Sequence, residues 1–499
     1  MKDGILKKIS DAAFRILMAG AKKIPAVKNK ISAQYDGFVK ELEPSLKPYR
    51  KTHETYASIP VKGVPKKKLL DLMKDLEKRE RARWENGFVS GAVYHGGKEH
   101  IDFLNSVYAM YSQTNPLHSD VWPSIGKFEA EIVSMTADML GRAASDNPVE
   151  ICGTVTSGGT ESILLAMKTY RDRARAEMGI TKPEMIIPVT AHAAFDKAAQ
   201  YFNIKMIKIP VDSSFKADLN AAAKAVTKNT VVIVGSAPCF PNGTIDPIAE
   251  LSELAFSNNI GMHTDACLGG FILPWAKKLG YDVPAFDFSL PGVTSISADT
   301  HKYGYAAKGT SVLLYRGNDL RHYQFYKTTE WPGGLYFSPT FAGSRPGALI
   351  AQCWAALVSV GEEGYMKSVK GILETADAIK KGINDIPELK VLGDPLFDIS
   401  FASESLDIYR VMDQMTKKGW SLNGLHKPSC VHICLTMRHA QKGLASKFSS
   451  DLKKSVEYVK KHPEDKGSMA PVYGMAATFP DRELVADLLD VYMDTIYKV

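Results

Sequence analysis

The amino-acid sequence predicts an α/β protein with a large domain around a mostly parallel sheet and a smaller α+β domain at its C-terminal end. A length of 499 residues exceeds what one hydrophobic core usually organises, which favours two domains. Between about 129 and 315, helical patterns alternate with short β-branched runs, as in parallel strands joined by helical crossovers. After about 345 a long helix begins and a different pattern follows it.

The predicted elements of the large domain follow one another in the order that crossover connections require. Helical periodicity predicts helices at about 66–86, 129–140 and 162–177. Short β-branched runs predict strands at 185–189, 205–209, 231–234 and 312–315. In the smaller domain we expect a helix over 348–384, strands at 389–392 and 431–436, and a last helix from 481. The predicted domains are therefore a basic arm, 1–57, a large domain, 58–360, and a small domain, 361–499.

The N-terminal arm carries the positive charge of the chain. Residues 1–70 contain 16 Lys or Arg and 6 Asp or Glu, whereas the whole chain has a net charge of only +7. Apolar residues at helical spacing over 4–20 predict an amphipathic helix. Such an arm suits dimer wrapping, which we favour, or contact with an anionic membrane surface. With no apolar run of membrane-spanning length and no signal peptide, we expect a cytoplasmic protein that binds no nucleic acid, with peripheral membrane contact as the alternative.

The cysteines predict neither disulfides nor a metal site. Six cysteines are scattered through the chain without a CxxC pair, which favours a reducing compartment. Cys430 and Cys434 flank His432, but no second ligand cluster accompanies them. We interpret this stretch as a buried strand.

The most informative segment is a β-like run at 295–298 that leads into Asp-Thr-His-Lys-Tyr-Gly at 299–304. A lysine held at a strand end can form a Schiff base when it is desolvated and surrounded by positive charge. His301 and Lys308 would supply such neighbours for Lys302. We therefore expect Lys302 to be the reactive lysine, with a lowered pKa.

Three further segments carry side chains that suit a phosphorylated ring cofactor. The run Thr-Ser-Gly-Gly-Thr at 156–160 precedes a helix, and unpaired amides at a helix start bind phosphate. Asp265 ends an apolar strand, where an acid can pair with a pyridine nitrogen. His192 follows another strand and could stack on a ring. Taken singly, these residues could equally be a capped glycine turn, a helix cap and a core histidine.

Together these segments resemble the pyridoxal-phosphate-dependent enzymes of the aspartate aminotransferase fold type, and specifically the sphingosine-1-phosphate lyase family. Further blocks support the resemblance, at 91–94, 115–118, 191–195, 265–271, 299–304 and 343–347. The likeness spans about 55–499. It implies fold type I, with a mostly parallel seven-stranded sheet in the large domain, and a homodimer with shared active sites.

The resemblance also implies roles for particular residues. Lys302 would carry pyridoxal 5'-phosphate, Asp265 would pair with its ring nitrogen, and His192 would stack on the ring. Its phosphate would be bound by the group Gly159, Thr160, His301 and the partner subunit's Ser344. Substrate binding and catalysis would involve Tyr94, Asn115, His118, Lys308 and Tyr336. Which of Tyr94, His118, Lys308 and the substrate phosphate acts as the base stays open.

Two positions depart from the family pattern. Relatives often have Pro-His-Gly where this chain has Asn242 between Pro241 and Gly243, and some carry a tyrosine at the position of Phe240. One wall of the pocket is therefore expected to differ.

The implied activity is that of a carbon–carbon lyase of sphingolipid metabolism. It would cleave sphingosine 1-phosphate between C2 and C3 to a long-chain aldehyde and phosphoethanolamine. A pyridoxal-phosphate-dependent amino-acid decarboxylase is the alternative enzyme, because it would share His192, Asp265 and the His301–Lys302 pair. A non-catalytic lipid-binding scaffold on the same fold is the second alternative, and the intact Lys302 argues against it.

Overall fold

A seven-stranded sheet in the described part of the chain organises the molecule, with strands in the spatial order β1-β7-β6-β5-β4-β2-β3. The computed structural model describes Gly37 and residues 43–44, 46–142, 150–467 and 482–499. The seven strands are β1 (Ile151–Thr156), β2 (Glu184–Pro188), β3 (Lys205–Ile209), β4 (Thr230–Ser236), β5 (Gly261–Asp265), β6 (Ser295–Ala298) and β7 (Ser311–Arg316). These strands are almost wholly buried, apart from the edge strand β3, as expected of a sheet covered by helices on both faces.

The predicted mostly parallel sheet is confirmed, and one strand departs from the parallel direction. Strands β2 to β6 pair in parallel, whereas β7 runs antiparallel to both β6 and β1. The alternation rule predicted a parallel strand at 312–315, which is wrong for β7. The connection from β6 to β7 contains no helix, and antiparallel strands need no crossover.

Helices precede and connect these strands. They are α1 (Lys66–Glu85), α2 (Lys98–Tyr111), α3 (Pro123–Met139), α4 (Gly159–Met178), α5 (Ala194–Phe202), α6 (Leu219–Ala225), α7 (Ile248–Ser257), α8 (Leu273–Lys278) and α9 (Asn318–His322). Helix α3 begins before the predicted start at 129, because Pro123 occupies its first turn, where a proline is tolerated. Helix α4 likewise begins at Gly159 rather than at 162, since the glycines belong to the helix start.

After the sheet the chain forms a hairpin, a long helix and a second sheet. The hairpin strands are β8 (Tyr326–Thr328) and β9 (Tyr336–Ser338). The helix α10 (Gly347–Asn384) is interrupted at Gly361, whose φ of 59° and ψ of 176° are not helical. The four described strands of the second sheet are β10 (Lys390–Val391), β11 (Asp398–Ala402), β12 (Asn423–Leu425) and β13 (Cys430–Cys434). Helices α11 (Ile408–Lys417) and α12 (Leu444–Lys461) accompany this sheet.

The chain divides into two units, one of Met1–Arg81 with Lys466–Val499 and the other of Ala82–Asp465. In the first unit, the ammonium group of Lys47 donates a hydrogen bond to the carbonyl of Lys498, just beyond α13 (Arg482–Tyr497). Of the predicted helices, 66–86 is confirmed by α1, whereas the helix over 4–20 lies outside the described residues. No helix in the described ranges combines the length and apolarity that a membrane crossing requires.

Candidate active site

The carboxyl ends of β1, β5 and β6 meet at one edge of the large sheet. Because β7 is antiparallel to both β1 and β6, those two strands point the same way, and β5 is parallel to β6. Asp265 ends β5, while Asp299 and Lys302 follow β6. The loop from β1 leads into the glycines at the start of α4. In sheets of this type, ligands bind at the carboxyl edge.

Lys302 is held by a buried carboxylate. Its Nζ lies 3.0 Å from Oδ2 of Asp299, which is 3% exposed, whereas the lysine side chain is 24% exposed. Burial by itself would lower the pKa of Lys302 and is the largest single effect, but the charge and hydrogen bond of Asp299, together with Cys267 and Tyr94, raise the pKa above its usual range. The expectation of a lowered pKa at Lys302 is therefore wrong for this chain.

The positive neighbours named for Lys302 do not act as expected. Burial lowers the pKa of His301, although the Asp299 charge works in the opposite direction, and its Nδ1 pairs with the carbonyl of Thr310 at 2.5 Å. Partial desolvation of Lys308, together with the charge of Lys302, lowers the pKa of Lys308 to about 8. The lysine whose pKa is lowered is thus Lys308 and not Lys302.

Gly158 and Gly159, at the start of α4, form a glycine cradle beside Asp299 and Cys267. A Cβ on Gly159 would lie 2.7 Å from Sγ of Cys267 and 2.9 Å from both carboxylate oxygens of Asp299, so that only glycine fits there. Gly158 has a φ of +155°, which also favours glycine. The first amides of the helix have no partners within it, so they can bind an anion.

Asp265 and His192 occupy the positions that the sequence indicated. Asp265 is 7% exposed, and its Oδ1 accepts a hydrogen bond from the amide of Cys267 at 3.1 Å. His192 is exposed just beyond β2, where its Nδ1 accepts a hydrogen bond from the amide of Ala194 at 3.1 Å. This bond fixes the orientation of the imidazole ring.

The residues at this edge fit pyridoxal phosphate. The fit rests on the glycine cradle, on a lysine at the carboxylate of Asp299, and on Oδ1 of Asp299, which is buried and has no hydrogen-bond partner among the described residues. The group would be held by Lys302, Asp265, His192, Thr160 and His301.

Tyr94 and Lys308 form a second cluster near Lys302. Nζ of Lys308 lies 4.5 Å from the ring centroid of Tyr94, in the geometry of a cation–π contact. The Tyr94 ring is 8% exposed and packs edge-on against Tyr303, with 4.9 Å between centroids. Burial raises the pKa of Tyr94, so its phenol keeps its proton.

The remaining predicted residues lie on more open segments. Nδ2 of Asn115 donates to Oγ of Ser344 at 3.0 Å, and this contact lies within one chain. His118 is exposed with its ring 6.3 Å from that of Trp122, and Tyr336 lies 6.0 Å from Trp331. The structure gives neither His118 nor Tyr336 a contact with Lys302 within the described part of the chain.

Two important groups, Asp299 and Arg345, were not predicted from the sequence. Asp299 lies three residues before Lys302 in the segment 299–304, and this spacing could have indicated the ion pair. Arg345 makes a bidentate pair with Glu129, at 2.8 and 2.6 Å, and also donates to the carbonyl of Val155. The Arg345 and Glu129 side chains are 11% and 15% exposed. Because Glu129 lies far away in sequence, no local pattern indicates this pair.

The two departures from the family pattern lie together. Phe240 is 40% exposed, and its ring meets that of the buried His432 edge-on, with 4.5 Å between centroids. Asn242 is buried and donates to Oγ of Ser400 at 3.3 Å. Cys430 and Cys434 bound the buried strand β13, as predicted.

The model of the pyridoxal-dependent decarboxylase conserved domain matches residues 91–397. With the mostly parallel seven-stranded sheet, this match shows that the chain is a pyridoxal-phosphate-dependent enzyme of fold type I. The chain belongs to the sphingosine-1-phosphate lyase family, as the following relatives show.

The sphingosine-1-phosphate lyase of Arabidopsis thaliana is 49% identical over 96% of this chain and 88% of its own length. The corresponding rat enzyme is 41% identical over 99% and 86%. Among solved structures, a Burkholderia pseudomallei sphingosine-1-phosphate lyase has a TM-score of 0.83 and 43% identity, covering 90% of this chain and 99% of that one. A Lactobacillus brevis glutamate decarboxylase, with a TM-score of 0.69 and 20% identity, shares the fold. Pyridoxal phosphate is the cofactor of this protein.

Proposed function

We propose that this protein is a lyase that cleaves phosphorylated long-chain bases, sphingosine 1-phosphate among them, between C2 and C3. The products are a long-chain aldehyde and phosphoethanolamine. The observation that carries the proposal is the second cation, Lys308, held over Tyr94 close to the Lys302–Asp299 pair. Lys308 has no carboxylate partner among the described residues, so its charge is available to a substrate anion.

The cofactor supplies the electron sink that makes cleavage next to an amine-bearing carbon feasible. The chain supplies the surroundings. Asp299 holds the Lys302 ammonium group in place, Asp265 offers a carboxylate to the ring nitrogen, and His192 offers a flat imidazole to the ring. The glycine cradle with Thr160 and His301 binds the cofactor phosphate, while Ser344 completes it from the partner subunit.

Tyr94 and Lys308, which we place beside the reacting carbons, differ in how readily they lose a proton. Tyr94 keeps its phenolic proton and can donate a hydrogen bond to a substrate oxygen. With a pKa of about 8, Lys308 is largely charged at neutral pH and pairs with the substrate phosphate. Asn115 and His118 add hydrogen-bonding groups on the open side, and Tyr336 on β9 closes the site.

We attribute the exposed segments near the site to a homodimer in which the two chains share active sites. His118, Ser344 and Phe341 are exposed, and several large apolar side chains of the β8–β9 hairpin are exposed with them: Tyr326, Trp331, Leu335 and Phe337. A second copy would cover such a surface. The basic N-terminal arm would add to the dimer, with contact to anionic lipid as the competing role.

Product analysis tests the proposed function. Incubation of the loaded enzyme with sphingosine 1-phosphate should release a long-chain aldehyde and phosphoethanolamine, and amino acids should release no CO₂. Release of CO₂ without aldehyde would establish a decarboxylase. Cofactor binding without either product would establish a lipid-binding scaffold.

Removal of the substrate phosphate provides a sharper test. A hydrogen bond to a charged group contributes about 1.5–3 kcal/mol, so loss of several phosphate contacts should lower kcat/KM at least about a hundredfold. Shortening the alkyl chain forfeits about 0.8 kcal/mol for each buried methylene and should matter less. Cleavage of unphosphorylated sphingosine at a comparable rate would refute the proposal.

A further inference from the structure

A buried histidine lies directly beneath Asp265. In the parallel pairing of β5 with β6, His263 is opposite Ser295 and Asp265 is opposite Ser297. Alternate residues of a strand face the same side of a sheet, so these four side chains share one face. His263, Ser295 and Ser297 are fully buried.

Hydrogen bonds join these side chains into a row. Nδ1 of His263 lies 2.7 Å from Oγ of Ser295, and its Nε2 lies 3.2 Å from Oγ of Ser297. The Ser297 hydroxyl is in turn 3.5 Å from Oδ1 of Asp265, the longest contact of the row. Cys267 adds a thiol donor to Ser297 at 3.3 Å.

The other end of the row is anchored in helix α4. The hydroxyl of Tyr170 lies 2.6 Å from Oγ of Ser295 and 3.2 Å from the carbonyl of Met262. Gly261 permits this approach, because a Cβ there would lie only 2.2 Å from the Tyr170 ring. The row therefore runs without a gap from Tyr170 to the carboxylate of Asp265.

The number of protons in this row of side chains limits which group can donate each hydrogen bond. Burial lowers the pKa of His263 to about 4, so the imidazole is neutral and has a single N–H. Each serine hydroxyl has one proton to donate. If the N–H is on Nε2, Ser297 accepts it and can donate its own proton to Asp265. If the N–H is on Nδ1, Ser297 must donate to Nε2, and Asp265 loses this donor.

We infer that His263 is a positioning residue that acts through Ser297 to hold the carboxylate of Asp265 against the ring nitrogen of the cofactor. The hydrogen bond from Ser297 fixes the orientation of that carboxylate. This role requires the N–H on Nε2, and in that tautomer Ser295 donates to Nδ1 and Tyr170 donates to Ser295. The inference rests on the proposed pairing of Asp265 with the ring nitrogen.

The test is the protonation state of that nitrogen in the holoenzyme. Loading the protein with pyridoxal phosphate labelled with ¹⁵N in the ring allows the ¹⁵N chemical shift to report the proton directly, and the cofactor dissociation constant is measured alongside. Ser297→Ala and His263→Asn should both move the shift towards the unprotonated position. Both should also weaken cofactor binding roughly tenfold or more.

Two further variants separate this role from a purely structural one. His263→Gln places an amide donor near the position of Nε2 and should retain the protonated signal, whereas His263→Asn reaches only the Ser295 side. Ser455→Ala removes another buried serine hydroxyl, on α12, and should leave both measurements unchanged. Thermal unfolding confirms that each variant is folded.

The outcomes also separate the inference from the proposed function. If Asp265→Asn removes the protonated signal while folded Ser297→Ala and His263→Asn retain it, the relay through His263 is refuted and the role of Asp265 stands. If Asp265→Asn itself retains the signal, the pairing with the ring nitrogen is refuted and the relay is refuted with it.

Discussion

The cofactor region and the substrate region of the site are built in different ways. Asp265, Asp299 and Lys302 belong to strand ends or the turns after them, and the two carboxylates are buried. His118, in the substrate region, and Ser344, which we propose reaches the cofactor phosphate of the partner subunit, lie on exposed connections. The buried part of the cofactor region is thus organised by the fold of one chain, whereas these exposed residues are free to meet a second chain. Substitutions in the two regions should differ accordingly.

The largest effect is expected at Lys302. Lys302→Ala removes the amine to which we propose that the cofactor attaches, so kcat should fall roughly ten-thousandfold or more, as when a covalent catalyst is deleted. Borohydride reduction of the wild-type holoenzyme followed by peptide mapping should label the Lys302 peptide alone. A label on any other lysine would place the centre of the cofactor region elsewhere.

Lys308→Ala tests the boundary between the two regions. We expect kcat/KM for sphingosine 1-phosphate to fall about a hundredfold, because a charge-assisted contact with the phosphate is lost, while the visible spectrum of the cofactor stays unchanged. A changed spectrum would assign Lys308 to the cofactor region instead.

The pH profile of the same enzyme tests the charge of Lys308. With a pKa of about 8, the lysine loses its positive charge as pH rises through that value, so kcat/KM should decline above about pH 8. Lys308→Arg, which stays charged, should move the decline to higher pH. A rate that instead rises through pH 8 would identify Lys308 as the base.

A smaller effect is expected at the glycine cradle. In Gly159→Ala the new methyl group meets Cys267 and Asp299, and overpacking of this kind costs about 1–3 kcal/mol. The cofactor dissociation constant should therefore rise by about tenfold. Gly126→Ala, on helix α3, has open space for its Cβ and should leave cofactor binding unchanged.

The smallest effect is expected at Ser344, where a single hydroxyl is lost. If Ser344 binds the cofactor phosphate across the dimer interface, as we propose, Ser344→Ala should raise the cofactor dissociation constant by at most about tenfold, the cost of one hydrogen bond. An unchanged dissociation constant would limit Ser344 to its hydrogen bond with Asn115 and would contradict the shared phosphate site.

The residues that the sequence could predict belong mainly to the cofactor region. Local patterns identified Lys302, Asp265 and the glycines at 158–159, because each stands at the junction of a strand with a turn or helix. Asp299 was visible in the same block, yet its effect on Lys302 depends on burial, which the local sequence does not reveal. The expected lowering of the Lys302 pKa was wrong for this reason.

Contacts between distant segments were beyond local patterns. The pairing of Arg345 with Glu129 joins a loop before α10 to helix α3, and Asn115 meets Ser344 across a similar separation. The direction of β7 was equally hidden, because strand periodicity is the same in parallel and antiparallel pairs. These features depend on how segments far apart in the sequence come together in the fold.

The break at Gly361 determines where helix α10 can tolerate an insertion or a deletion. A continuous helix turns every later side chain by about 100° when one residue is inserted, since it has about 3.6 residues per turn. Before the break, Gln352 and Trp354 bond to residues of α2 and α3, and beyond it Gly382 packs against Ser449 of α12. Because helical phase is not transmitted through Gly361, a change of length there would leave both sets of contacts in register.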